Sequence, residues 1–234
     1  LTIALQRQAD CIDPQQSNYG YGSVDGRQVV DSLTEQSYQE PTRIVPWLAK
    51  SWEISDDARS YTFHLRDDVT FSDGTPLTAD IVKRNFETLA TFPGAAGGAY
   101  LKGITAIEAA DAHTVRISFD APNVPFLQAT SSAELGIVAP ATLDKSADQR
   151  CAEGVIGTGP FVLEKVIFNE QAVFAKGAGY NWASELRTHQ GEAYLDKVVY
   201  RIVSEGTARS GALQAGQVDL IQNVTFDDVP FEAW

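Results

Sequence analysis

Period-two runs of apolar residues mark the first half of the chain. In "SWEISDDARSYTFHLR", Tyr61, Phe63 and Leu65 alternate with Thr62, His64 and Arg66, after Trp52, Ile54 and an acidic turn at Asp56-Asp57. That pattern predicts a β-hairpin with one buried face. The device returns in "ITAIEAADAHTVRISFD", where Asp111-Ala112-His113 supplies the turn and Val115, Ile117 and Phe119 alternate. It returns again in "PFVLEKVIFNEQAVFAK", with Asn169 near the turn. "LTIAL" reads as a buried strand, and "VDLIQNV" as a further strand near the end. The devices recur at no fixed period, which argues against a solenoid.

Helical spacing appears in three places. Thr78 is a suitable N-cap for a helix over 79–90, whose Ile81, Val82, Asn85, Phe86 and Leu89 form a mostly apolar stripe. Val29, Val30, Leu33 and Tyr38 predict a short helix over 27–38. Thr207 is placed to cap a third helix over 208–216, ending at Gly216. Residues 41–52, with Trp47 and Trp52, read as irregular, and Pro14, Gly20, Gly22 and Gly26 discourage regular structure over 6–26. Strands, hairpins and helices together indicate an α/β or α+β architecture with a mixed sheet.

A chain of 234 residues with 44% hydrophobic content can bury one large core or two small ones. No stretch approaches the ~18–20 apolar residues of a membrane span. A net charge of −13 disfavours nucleic acid and anionic membranes as partners. The acids are spread along the chain and read as solvated surface. The start has no basic or apolar leader, methionine is absent, and "FDDVPFEAW" stops abruptly. A processed or truncated segment is expected from these features.

Cys11 and Cys151 lie in polar, turn-rich stretches. The preferred reading is a long-range disulfide in an oxidising compartment, and the other is two separate thiols. Neither cysteine has histidines at metal-site spacing. His64, His113 and His189 are far apart and read as surface histidines, so no metal site is expected. No GxSxG occurs, and Ser210 falls inside a predicted helix. "GVIGTGPF" precedes a strand, where a phosphate loop would precede a helix, so its glycines read as backbone-shaping. "FSDGTP" lacks calcium-loop spacing. Asp67-Asp68 and Asp73-Gly74 read as turn chemistry, and Asp80 as an acid in a first helical turn. No catalytic residue and no cofactor is expected. A secreted hydrolase domain with an unrecognised carboxylate pair is the alternative, and a structural adhesion module a third reading.

Four segments in order decide between these. "IVPWLAKSWEISDDARSYTFHLRDDVTFSDGTPLTADIVKRNFE", "VIGTGPFVLEK", "GYNWASELRTHQGEAYLDKVVYRIV" and "ALQAGQVDLI" resemble the signatures of extracytoplasmic solute-binding proteins of oligopeptide, dipeptide and nickel ABC importers. The resemblance implies an α/β periplasmic-binding-protein-like lobe with an inserted smaller α+β subdomain. Residues 1–36 and 154–234 would form the α/β subdomain and 37–153 the insert, with the C-terminal lobe absent from this chain. Cys11 and Cys151 would then lie near the seam. The implied partners are a peptide or similar small solute, a membrane permease and the missing lobe. The implied location is the periplasm or the outer face of the cell membrane, with a lipid anchor in the full-length protein. Candidate ligand-binding residues are Tyr19, Tyr21, Arg27, Ser131, Ser132, Glu134 and Thr158, whose alternative is ordinary loop and strand surface. Arg27 either meets an anionic group or caps its surroundings.

Overall fold

Two apolar faces organise the chain, each backed by its own sheet. The computed structural model describes residues 1–9, 11–17, 25–92 and 94–224. The strands are β1 (Thr2–Leu5), β2 (Thr34–Gln36), β3 (Ile44–Pro46), β4 (Ala49–Ile54), β5 (Ser60–Leu65), β6 (Ile104–Asp111) and β7 (Thr114–Phe119). They continue as β8 (Phe161–Ile167), β9 (Gln171–Lys176), β10 (Lys197–Ile202) and β11 (Leu220–Ile221). The helices are α1 (Ala79–Thr91), α2 (Phe126–Ala129), α3 (Pro140–Leu143), α4 (Ala147–Glu153) and α5 (Gly206–Gln214).

One sheet runs β11-β1-β10-β9-β8, with β1 parallel to β10 and β11 and the remaining pairs antiparallel. It is therefore mixed, as expected. A second runs β4-β5-β7-β6 and is antiparallel throughout, and β2 and β3 form a separate two-stranded antiparallel sheet. All three expected hairpins form. The β4–β5 register pairs Trp52 with Phe63 and Ile54 with Tyr61, and Asn169 takes φ 57 in the β8–β9 turn. Helix α1 covers the inner face of the four-stranded sheet, burying Ile81, Val82, Phe86 and Leu89 against Tyr61, Phe63, Val115 and Ile117. Thr78 caps it through a 3.4 Å bond from the Ile81 amide. Phe126 of α2 wedges against Tyr61 and Phe119 at ring distances of 5.1 and 4.8 Å.

Asn85, the polar residue on the apolar stripe of α1, has a structural role. It is fully buried, donating to the Ile81 and Val138 carbonyls and accepting from the Val138 amide at 2.9–3.0 Å. Gln15 donates to Asn85 Oδ1 at 3.0 Å and to the Gly136 carbonyl at 2.7 Å, and accepts from Arg150. Arg150, fully buried, pairs with Asp13 at 2.8 Å. A buried charge is tolerable only when paired in this way. Beside this network the Cys11–Cys151 disulfide is formed, with Cα atoms 4.7 Å apart.

Three local expectations are corrected. Residues 27–38 are not a helix. A single turn at 25–30 gives way to extended chain and β2, and Tyr38 is 99% exposed. The reason is competition for the backbone. The carbonyls of Val29, Asp31, Ser32 and Leu33 accept from Gly159, Ile137, Leu48 and Ala49, so none is free for an i→i+4 bond. Residues 41–52 are more regular than expected, supplying β3 and the start of β4. The third helix starts at Gly206 with Glu205 as N-cap, so Thr207 lies inside its first turn. Buried Arg209 donates to the Val203 and Ser204 carbonyls at 2.8 Å, which fixes the chain directly ahead of Gly206.

Candidate functional site

The extended segment 29–34 lies between the two cores and is buried along its whole length. Val29 and Val30 join the core of the five-stranded sheet and Leu33 that of the other. Two glycines make the packing possible. A β-carbon at Gly157 would lie 1.9 Å from the Val29 carbonyl oxygen, and one at Gly159 2.6 Å from the Val29 carbonyl carbon. These are the backbone-shaping glycines of "GVIGTGPF". They bring Thr158 against Asp31.

Asp31 is the polar centre of this floor. Its Oδ2 accepts from Thr158 Oγ1 at 3.1 Å and from Trp182 Nε1 at 3.0 Å. Burial pushes its carboxyl up to about 7, against the opposing pull of those two hydrogen bonds and of the nearby Arg27 and Arg187. Trp182 also donates to the Thr158 carbonyl at 2.9 Å, and its ring meets Tyr180 at 5.0 Å. Burial raises the Tyr180 hydroxyl well above its ordinary range.

Above this floor opens a cavity of about 710 Å³, walled by Arg27, Trp47, Glu134, Phe161, Tyr180 and Arg187 among others. The guanidiniums of Arg27 and Arg187 lie 5.1 and 5.7 Å from the Trp47 ring centroid. Arg27 donates to Ser32 Oγ at 2.7 Å and to the Ser131 carbonyl. Burial lowers its pKa, the first of several influences. Arg187 pairs with Glu35, which also accepts from Ser184 Oγ. A second cavity, of about 470 Å³, shares Arg27 and is bordered by Glu35, Tyr100, Ser131 and Ser132. Among the described residues no group of three or more His, Cys, Asp or Glu side chains is placed to hold a metal.

The residues singled out from the sequence fall into three sets. Arg27, Ser131, Ser132 and Glu134 converge on the two cavities. Thr158 is buried beneath them, its hydroxyl engaged by Asp31. Tyr19 and Tyr21 lie outside the described residues. The cavity also gathers residues that were not singled out, chiefly Trp47, Tyr180 and Arg187, with Asp31 and Trp182 below. His189, read as a surface histidine, is half-buried in the cavity wall. The available signal was aromatic residues in glycine- and proline-interrupted stretches, "IVPWLAK" and "GAGYNWASELR". Periodicity is blind to such segments.

Residues 43–233 match the family described as bacterial extracellular solute-binding proteins, family 5 Middle. The chain is 32% identical over 186 residues to a probable D,D-dipeptide-binding periplasmic protein of Escherichia coli strain K12, covering 78% of this chain and 34% of the relative. Among solved structures, PBP AgaA from A. tumefaciens R10, in complex with agropinic acid, superposes with a TM-score of 0.83 at 30% identity. The match covers 97% of this chain and 44% of that one. The periplasmic binding protein DppA of Helicobacter pylori, in complex with peptide STSA, gives a TM-score of 0.80 at 28% identity, covering 97% and 47%. The chain thus spans about a third of the length of the curated relatives it matches, with 34% coverage.

Proposed function

The chain belongs to the bacterial extracellular solute-binding proteins of family 5, and from that membership we propose that it is the solute-contacting lobe of the binding component of an ABC importer. It captures a peptide or similar small solute beside Arg27, Trp47 and Tyr180 and presents it to a membrane permease. No covalent chemistry is involved. The observation that carries this reading is the cavity of about 710 Å³ with aromatic walls and a few convergent polar groups. Small-molecule sites occupy roughly 300–1,000 Å³ and have this make-up. Arg27, Ser131, Ser132 and Glu134 contact the solute, and Thr158 acts from beneath through Asp31.

The same reading gives the division into subdomains. Residues 1–36 and 154–234 form one α/β unit, and 37–153 an inserted smaller one. The strand order supports this, since β1 and β8 to β11 build one sheet and β4 to β7 the other. A following lobe closes over the cavity by hinge motion, in keeping with the partial coverage of the relatives. An extracytoplasmic location is supported by the periplasmic relatives and by the Cys11–Cys151 bridge.

Native mass spectrometry of the full-length protein purified from its source tests the reading. The expected result is a small solute that leaves, chemically unchanged, on denaturation. Turnover of peptide or glycan libraries with no retained solute would overturn it in favour of a hydrolase.

A further inference from the structure

The Cys11–Cys151 bridge is not sealed inside a core. Both cysteines are partly exposed, and both border a groove of about 400 Å³ whose walls include Ile12, Val166 and Phe168. This groove shares no lining residue with the two cavities beside Arg27. An attacking thiolate must reach a bridge sulfur, and exposed disulfides are the ones that such exchange opens. The 234 residues contain no third cysteine, so the attacking thiol comes from another molecule. What the bridge holds runs to the floor of the solute site. Cys151 follows buried Arg150 and Cys11 precedes Asp13 by two residues, so the bridge clamps the two segments that carry the Arg150–Asp13 pair. Gln16 Nε2 adds a 3.1 Å bond to the Ala147 carbonyl at the start of α4. Gln15 accepts from Arg150 and donates to Asn85 and to the Gly136 carbonyl. Asn85 accepts from the Val138 amide, and the adjoining Ile137 amide donates to the Asp31 carbonyl at 3.0 Å. Buried polar groups therefore connect the bridge to Asp31.

We propose that the Cys11–Cys151 bridge is a redox-sensitive latch: a dithiol reductant opens it in the folded protein, and opening loosens the floor beneath the solute cavity. One thiolate of the reductant bonds to a bridge sulfur. The Cys11–Cys151 bond breaks with its electron pair leaving on the other cysteine, which takes a proton. The reductant's second thiolate then displaces the first cysteine, so the protein ends with two thiols and the reductant with a disulfide. Without the crosslink, a state in which residues 11–17 have come away from α4 gains chain entropy, and the pairs between them open more often. The chemistry stands whatever the cavity binds, and only its use in controlling capture rests on the solute-binding reading above.

Two measurements on the full-length wild-type protein test this. In the first, dithiothreitol is applied at several concentrations, each across a series of urea concentrations below the unfolding transition. Alkylation then traps the thiols, and mass spectrometry quantifies the Cys11 and Cys151 peptides. The expected rate is first order in dithiothreitol and flat across the urea series, the mark of attack on the folded protein. A rate that climbs with urea along the slope of global unfolding means that the bridge reacts only after unfolding, and overturns the proposal. The second measurement compares hydrogen exchange in the oxidised and reduced protein. Peptides carrying Ile137 and Val138 should exchange roughly tenfold faster once the bridge is reduced. The peptide carrying Leu65, whose amide donates to the His113 carbonyl at 2.7 Å, should change less. Equal acceleration at both places makes the bridge a brace for the whole fold, and no change at 137–138 leaves it uncoupled from the floor; either overturns the latch. Recovery of a bound solute decides the solute-binding reading separately.

Discussion

Asp31 shows how much one buried side chain can set. Its carboxyl is fully buried, with one oxygen bonded to Thr158 and Trp182 and the other, Oδ1, without a hydrogen-bond partner among the described residues. Burial raises its pKa from 3.8 to about 7. Between those values the folded protein holds a proton that the unfolded chain has released, so stability falls as pH rises through the window. The slope from this group is at most roughly 1.4 kcal/mol per pH unit. Asp25, pushed up to about 7 by burial, acts in the same sense. Asp31→Asn keeps an oxygen for Trp182 and Thr158 and removes the titration. The variant should therefore gain on wild type as pH rises from 4 to 8. Melting temperatures across that range decide it, and parallel curves would sink the assignment. Gly157 sets a different limit. With 1.9 Å between its would-be β-carbon and the Val29 oxygen, no side chain fits without moving the floor of the site.

At the scale of elements, acids crowd the stretch from the end of β5 into α1, at Asp67, Asp68, Asp73 and Asp80. Asp73 Oδ1 accepts from the Thr75 amide at 2.9 Å, Gly74 takes φ 85, and Phe71 and Thr75 close the loop at 2.8 Å. Asp68 forms a two-bond fork with Arg66 at 2.6 and 2.8 Å. Asp80 occupies the first turn of α1, where the helix dipole favours an anion. These acids shape the backbone. Asp73→Ala should cost roughly 1 kcal/mol of stability and leave solute occupancy unchanged. Chemical denaturation and native mass spectrometry on one preparation check both halves, and lost occupancy in a fully folded variant would reassign the turn to the site. The turn also reaches the site's floor, since the Ser72 amide donates to the Gly157 carbonyl at 2.9 Å.

For the whole molecule, the Cys11–Cys151 bridge closes a span of 140 residues beside the buried Arg150–Asp13 pair. By chain-entropy reasoning such a loop contributes roughly 4–5 kcal/mol. Reduction, or Cys11→Ser with Cys151→Ser, should lower the melting temperature markedly; an unchanged transition would count against that. Solute affinity belongs to this scale too. On the proposed reading of the chain as one lobe of two, it buries one side of a ligand and by itself should bind any peptide more weakly than micromolar, as calorimetry can measure. The hairpins, α1 and the turn chemistry were legible in the sequence because their causes are local. A period of two, a cap three residues from its amide, or a glycine at positive φ needs no distant partner. The four signature segments likewise carried the family resemblance in their order alone. What only the tertiary structure decided is the state of residues 29–34 and the convergence of Arg27, Trp47, Tyr180 and Arg187. Val29, Val30 and Leu33 have helical spacing, yet amides from Leu48, Ala49, Ile137 and Gly159 claim the carbonyls of this stretch. Hydrogen bonds and cavity walls drawn from separate segments of the chain leave no periodic trace in either partner.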